Sequence, residues 1–402
     1  MLQVGLIFPG QGSQYVGMGK WLLENYSEAR PIFEEANEEL NFDIKTLCME
    51  GSLAELSQTK NAQPAILTVS TIAHHFYMSE VGIKPKFVAG HSLGEYSALV
   101  AAGSLEFNSA LQIVRQRGLF MEEASSDKVG SMFSVTGVEK EWIEHLCEKI
   151  STINAPVNIA CYNTSKQYII STHRHSAPKL LDVLDRNHVS YMPLNVSGPF
   201  HSPLMHGAAD KLSPILNQFS FQNWHTPIIS NVTGRPYHSS NKIKNGLLLQ
   251  MTRPVMWESS IRFMFERKVD VLIELGPQSI LKKMTKDISV QLEAYAFDNY
   301  QDLSRFQNGR MRLYRSSVFI NLCLAIVVST PSSNKSQNKY EADVLCGIRK
   351  LKQMNEELQE SGTFLTPEQM REAYRLVYYI LQTKEVSEEE LSSTVNELEC
   401  FF

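Results

Sequence analysis

The sequence predicts an α/β protein: a parallel sheet with helices on both faces, a small β-α-β-β-α-β unit set into it, and a helical C-terminal extension. Three observations carry this. Short, continuously apolar runs alternate with stretches of helical periodicity in the first part of the chain, as strands buried on both faces require. The order of elements changes between about Val129 and Val196. Past about Ile288 the strand pattern stops, leaving a polar linker and amphipathic stretches.

Val4 to Phe8 reads as the first strand, stopped by Pro9-Gly10. Ala62 to Tyr77 has helical periodicity, Phe87-Val88-Ala89 is a second buried strand, and Glu95 to Ala102 resumes as a helix. In the middle segment, Ser131 to Thr136, Val157 to Tyr162, Tyr168 to Ser171 and Ser190 to Asn195 read as strands. Glu139 to Ile150 and Ala177 to Asn187 are the helices between them, and this order is the ferredoxin-like arrangement. The core is expected to resume with a helix near Ser202 to Phe219 and strands at Pro227 to Asn231 and Val269 to Leu275. The expected division is therefore a core of residues 1–128 and 197–287, an insertion of 129–196, and an extension of 288–402 with its polar linker near 329–338. Within the extension, Asp343 to Gln359 and Thr366 to Gln382 read as amphipathic helices. Thr366, Pro367 and Gln369 form a capping-box signature.

Composition excludes several classes. Of 402 residues, 43% are hydrophobic and 20% charged, as in a globular protein with a sizeable core. The net charge of -5 argues against a nucleic-acid partner. Six cysteines without a CxxC pair give no metal-site spacing and suit a reduced, cytoplasmic chain. Met1 to Phe8 has no basic leader, so no signal peptide is expected. The longest apolar run, Val318 to Val328, falls short of the ~20 residues a membrane span needs, so no membrane association is expected.

Gly90-His91-Ser92-Leu93-Gly94 matches G-x-S-x-G between an apolar strand and a helix, the context of a nucleophile elbow. The turn is sharp, the flanking glycines remove Cβ atoms that would clash, and the Ser92 hydroxyl is carried at the sheet's carboxyl edge. The Leu93 N–H then sits at a helix N-terminus, where it favours an oxyanion. The loop Phe8 to Gln14 is no nucleotide loop, because Tyr15 stands where the dinucleotide pattern needs glycine and Met18 where the phosphate loop needs lysine. It is read as a tight turn beside the elbow, with Gln11 supplying a second oxyanion donor; a purely structural turn is the alternative.

A serine needs a base, and there are eleven histidines. His201 lies in the glycine- and proline-rich loop Ser197 to Pro203, just where the chain rejoins the core. His74 and His75 fall in a helix, His91 inside the elbow, and His173, His175 and His188 in the insertion. No carboxylate stands out as a third member, which leaves a backbone or amide carbonyl to orient the base in a Ser-His dyad.

Together these blocks resemble malonyl-CoA:acyl carrier protein transacylases. Phe8 to Gln14, Gly90 to Glu95 and Gly198 to Met205 match that family's three signatures in order and spacing, and Arg115 to Met121 and Leu248 to Trp257 add two more. The resemblance covers roughly Met1 to Lys286. It implies an α/β-hydrolase-like core with a ferredoxin-like insertion, Ser92 as nucleophile and His201 as base. It also implies Gln11 and Leu93 as oxyanion donors, Gln250 as the amide whose carbonyl orients the histidine, and Arg117 as the partner of malonate's free carboxylate. A guanidinium fork suits that role, and spacing from Ser92 favours Arg117 over Arg115. Thr172 and Gln278 stand where the family usually has glycine, which leaves local loop geometry open. The tail from about Asp287 is similar to that of discrete, trans-acting acyltransferases serving polyketide synthases.

The implied reaction is ping-pong transfer of malonyl from malonyl-CoA to the phosphopantetheine thiol of an acyl carrier protein or carrier domain, for polyketide or fatty acid biosynthesis. No metal or bound cofactor is implied beyond the coenzyme A thioester as substrate. No phosphopantetheine-attachment serine motif is found, so the acceptor is another protein. Two rivals remain: a hydrolase clearing stalled acyl groups, which would gain nothing from Arg117, and a non-catalytic scaffold, which would not need Ser92 and His201.

Overall fold

The computed structural model describes residues 2–126, 129–298, 300–334, 340–399 and 401. One compact unit spans Gln3–Leu303, and a second begins at Ser304.

In the first unit, β1 (Val4–Phe8), β2 (Phe87–Gly90), β7 (Val271–Glu274) and β8 (Glu293–Ala296) form a parallel sheet in the order β2-β1-β7-β8. Every residue of β1, β2 and β7 is buried, which is why these strands read as unbroken apolar runs. The β1–β2 register pairs Phe8 with Gly90, so the loops leaving both strands emerge side by side at the sheet's carboxyl edge. The expected strand at Pro227 to Asn231 contributes only isolated bridges, Val88 with Ile228 and Ile229 with Pro236, before the chain turns back at Gly234.

The insertion carries β3 (Gly130–Thr136), β4 (Val157–Thr164), β5 (Gln167–His173) and β6 (Ser190–Pro193) in the antiparallel order β4-β5-β3-β6, with helices Lys140–Ile150 and Ala177–Arg186. This is the ferredoxin-like order. Its core is formed by Phe133, Val135, Ile143, Leu146, Ile170 and Leu180 among others. Thr172 is fully buried within β5, where no left-handed backbone is needed, so losing a glycine there costs nothing in conformation.

The boundary expected at residue 288 falls too early. β8 joins the main sheet beside β7, and Asp302 accepts hydrogen bonds from Ala296 N–H and Lys282 Nζ, both in the first unit. A four-residue edge strand reading Glu-Ala-Tyr-Ala carries too little apolar signal to be seen in advance.

The second unit is helical. Helices Arg312–Ser329, Cys346–Ser361, Pro367–Thr383 and Glu388–Glu399 enclose Phe319, Ile320, Cys323, Leu351, Val377 and Ile380. The Thr366–Gln369 capping box is formed. Lys384 is buried, and its Nζ donates to the carbonyls of Val327 and Thr330, satisfying the C-terminal end of Arg312–Ser329. The helical run Tyr300–Ser329 is longer than the apolar stretch alone suggested, and by length and hydropathy it could span a membrane. Its Phe319, Ile320, Cys323 and Val327 are instead buried in the helical core, and it packs on helices Cys346–Ser361 and Pro367–Thr383. Of the polar linker near 329–338, Lys335 to Asn338 lie outside the described residues.

Candidate active site

Ser92 sits between β2 and helix Gly94–Ala101 with φ 52°, a left-handed backbone that a non-glycine residue adopts only when its surroundings impose it. The surroundings are tight. A Cβ at Gly90 would lie 1.8 Å from the Gly94 carbonyl oxygen, and one at Gly94 would lie 2.1 Å from that of Phe8. Asn231 pins the turn from outside: its Oδ1 accepts the Ser92 N–H at 2.7 Å, and its Nδ2 donates to the Gly90 carbonyl at 2.6 Å. The serine hydroxyl is thereby carried on a rigid support.

His201 also has positive φ, 55°, in the loop that follows the insertion. That loop is held by Ser171 Oγ donating to the Phe200 carbonyl and by Ser202 Oγ donating to that of Pro199. His201 Nε2 lies 2.7 Å from Ser92 Oγ, and Nδ1 lies 2.7 Å from the backbone carbonyl of Gln250. A carbonyl can only accept, so Nδ1 carries the proton and Nε2 is left to accept from the serine. Burial, and then the nearby Arg117 charge, push the His201 pKa down to about 3, so the ring is neutral at physiological pH. The orienting group expected at Gln250 is thus its main chain. The side chain does other work: Nε2 donates to the Ser92 carbonyl and to Glu95, while Oε1 accepts from Arg117.

Arg117 is 1% exposed on helix Phe107–Glu123. Gly118 lets that helix approach helix Thr59–Glu80 so closely that a Cβ there would lie 2.6 Å from Lys60 Cα, and this brings Gln63 alongside. Arg117 donates through Nη1 to Gln63 at 2.8 Å and through Nη2 to Gln250 at 3.0 Å, with Ser92 Oγ at 3.4 Å. Its Nε is buried and meets no acceptor among the described residues, and the guanidinium carbon lies 5.7 Å from the centre of the Tyr96 ring. Arg115, equally basic in the sequence, is occupied elsewhere: it donates to Lys60 O and Asn61 and lies over the Phe42 ring.

Gln11, Ser92, Arg117 and His201 line one cavity of about 180 Å³, otherwise walled largely by Met121, Met132, Ile169, Leu194, Val196 and Phe200. The Gln11 side chain is turned away to Thr59. Among the described residues, the backbone N–H groups of Gln11 and Leu93 donate to no other group. Gln278, the second departure from a family glycine, adopts φ 66° all the same. Its N–H donates to Asp298 and its Nε2 to the Ser13 carbonyl, which ties this strained turn to the loop that carries Gln11.

Four residues of this site escaped the sequence reading. In the sequence Asn231 is the end of an expected strand, Gln63 one position in a helix, Asn163 (whose Oδ1 meets His91 Nε2 at 2.9 Å) lies between two expected strands, and Glu95 is the last letter of a motif. Only Glu95 carried a signal, a charged residue just inside an apolar helix.

A hydroxyl held against a neutral imidazole, with unpaired backbone donors at the same sheet edge, is an arrangement suited to acyl transfer, and fold and family make this an acyltransferase. The chain belongs to the acyl transferase family, whose domain model matches residues 6–307. A Bacillus subtilis protein named malonyl CoA-acyl carrier protein transacylase is 37% identical over 391 residues, covering 96% of this chain and 98% of that relative. The Escherichia coli protein of the same name is 35% identical over 301 residues, covering 74% of this chain and 96% of its own. Among solved structures, the transacylase of that name from Clostridium perfringens superposes with a TM-score of 0.72 at 32% identity, covering 75% of this chain and 95% of that one. A malonyl-transacylase solved with its type II polyketide acyl-carrier protein gives 0.73 at 33% identity, covering 75% and 98%.

Proposed function

We propose that this enzyme moves a malonyl group from malonyl-CoA to the phosphopantetheine thiol of an acyl carrier protein through a malonyl ester on Ser92. The observation that carries this reading is Arg117, a buried cation that lines the otherwise largely apolar cavity with Nη2 3.4 Å from Ser92 Oγ and no carboxylate paired directly to it among the described residues. Such a group is costly to bury without an anion, and a carboxylate two bonds from the reacting carbonyl meets it.

In the first half-reaction Ser92 Oγ attacks the thioester carbonyl while His201 Nε2 takes its proton. The Gln11 and Leu93 N–H groups hold the oxyanion. Collapse breaks the C–S bond, and the coenzyme A thiolate leaves with the proton from His201. In the second half the carrier thiol gives its proton to His201, attacks the ester, and Ser92 Oγ regains the proton. The chain's own residues supply every group this chemistry needs, so we assign no bound cofactor. A cytoplasmic location suits the substrates and the free cysteines.

We read a polyketide setting from the resemblance of the C-terminal extension to that of discrete, trans-acting acyltransferases. The Escherichia coli relative is spanned almost entirely by 301 aligned residues and has no room for this extension, whereas the Bacillus subtilis relative aligns along nearly the whole chain. The carrier in that setting is a separate protein or carrier domain.

Arg117→Ala tests the substrate. It is expected to cut kcat/KM for malonyl-CoA by the factor that corresponds to about 2–5 kcal/mol, because the substrate carboxylate is left buried and unpaired. Acetyl-CoA should be used as well as before or better. Arg117→Lys should rescue only in part, since a point charge cannot reproduce the fork. An equal fall for both substrates would make Arg117 structural and return the hydrolase reading to contention.

A further inference from the structure

Glu95 has no part in the chemistry described above, yet it is fully buried on the first turn of the helix that follows the nucleophile. Its Oε2 accepts from Gln250 Nε2 at 2.6 Å, and its Oε1 accepts from Tyr237 Oη at 2.6 Å and from Asn231 N–H at 3.3 Å. Two of those partners, Asn231 and Gln250, reach the site. Asn231 pins both sides of the elbow. Gln250 donates to the Ser92 carbonyl, supplies the backbone oxygen on His201, and turns its Oε1 to Arg117.

An amide side chain has two ends of opposite character, and it points its oxygen at a cation only if its nitrogen is satisfied elsewhere. Around Gln250 the nitrogen meets two acceptors, the Ser92 carbonyl and the Glu95 carboxylate. We propose that Glu95 is a positioning residue for substrate selection: it fixes the Gln250 amide with Oε1 toward Arg117, and so holds the guanidinium where the substrate carboxylate must meet it. The inference rests on the malonyl reading above and names a residue that acts through Gln250 and Arg117 without touching substrate.

Several features agree with this. Both Glu95 oxygens accept hydrogen bonds, and those bonds together with the Arg117 charge offset part of the burial, which still raises its pKa to about 7. Arg117 and Glu95 form no direct ion pair among the described residues; their connection runs through Gln250. A carboxylate paired directly with Arg117 would compete with the substrate for the fork. One held at a distance by an amide orients the fork without occupying it.

The test is kcat/KM for malonyl-CoA and acetyl-CoA in wild type, Glu95→Ala and Glu95→Gln, with thermal melting to monitor the fold. In Glu95→Ala the malonyl value should fall by about tenfold or more beyond any change in the acetyl value, the size expected when one hydrogen bond to a charged group is lost. Glu95→Gln keeps an oxygen for Gln250, and the Tyr237 hydroxyl can rotate to accept from the new amide; only the long Asn231 N–H contact at 3.3 Å is lost, so most of the malonyl preference should return. If Glu95→Ala does not fold, Gln250→Leu breaks the same contact from the other side while keeping the backbone carbonyl on His201, and it should show the same selective malonyl loss. An unchanged malonyl-to-acetyl ratio in a folded Glu95→Ala protein, or in Gln250→Leu, overturns the proposal, as does a Glu95→Gln protein no better than Glu95→Ala. A ratio that collapses in Arg117→Ala but survives in Glu95→Ala sinks this inference alone. A wild type with no malonyl preference sinks the malonyl reading with it.

Discussion

Ser92→Ala is expected to abolish acyl-enzyme formation altogether while leaving the melting temperature within a few degrees of wild type. The substitution removes one oxygen. That oxygen's contacts are His201 at 2.7 Å and Arg117 at 3.4 Å, so the fold loses about one hydrogen bond, ~1 kcal/mol. The strained turn persists, because Asn231, Gly90 and Gly94 hold it through backbone groups, and alanine at φ 52° is strained much as serine is. The check is the burst of coenzyme A released on mixing with malonyl-CoA, followed with a thiol reagent. A stoichiometric burst from the alanine protein would mean that another side chain carries the acyl group.

The second large effect concerns His201→Ala. Without a base, the serine attacks as a neutral hydroxyl, and acylation should slow by ~10²–10⁴-fold. The same variant has a stability signature. Folding lowers the His201 pKa from its ordinary 6.5 to about 3, so protons bind the unfolded chain preferentially between those values. This residue's contribution is therefore complete above pH 6.5 and is lost as pH falls from there toward 3. Removing the imidazole should flatten that part of the stability profile, measured by urea unfolding at a series of pH values. Near-normal acylation in His201→Ala would move the base elsewhere. An unchanged acid limb of stability would mean the ring is not buried in its neutral form.

What could be read from residues alone follows from the range of the interactions involved. The elbow was legible because a strand, two glycines and a helix lie within one short segment, and the geometry of Ser92 is set almost entirely by that segment. The ferredoxin-like insertion was legible because its apolar periodicities are local. The supports of the site were not. Asn231 reaches Ser92 across 139 positions and Gln63 reaches Arg117 across 54, and neither amide differs in the sequence from one that faces water. Gln250 illustrates the same limit. A matching motif could point to the residue but could not say that the main chain orients the imidazole while the side chain serves Arg117. β8 was missed for a different reason: as a short edge strand with Glu293 and two alanines, it owes its place to β7 beside it more than to its own composition.

The central claim is that malonyl passes through an ester on Ser92, chosen by a buried guanidinium. The most direct test is peptide mapping by mass spectrometry of the wild-type enzyme after brief exposure, separately, to malonyl-CoA, acetyl-CoA and methylmalonyl-CoA. The expected result is a single malonyl adduct on the peptide containing Ser92, cleared on adding a phosphopantetheinylated carrier protein, with far less label from acetyl-CoA. Equal labelling by acetyl-CoA, an adduct on any residue other than Ser92, or an ester that water removes as fast as the carrier does would contradict the account.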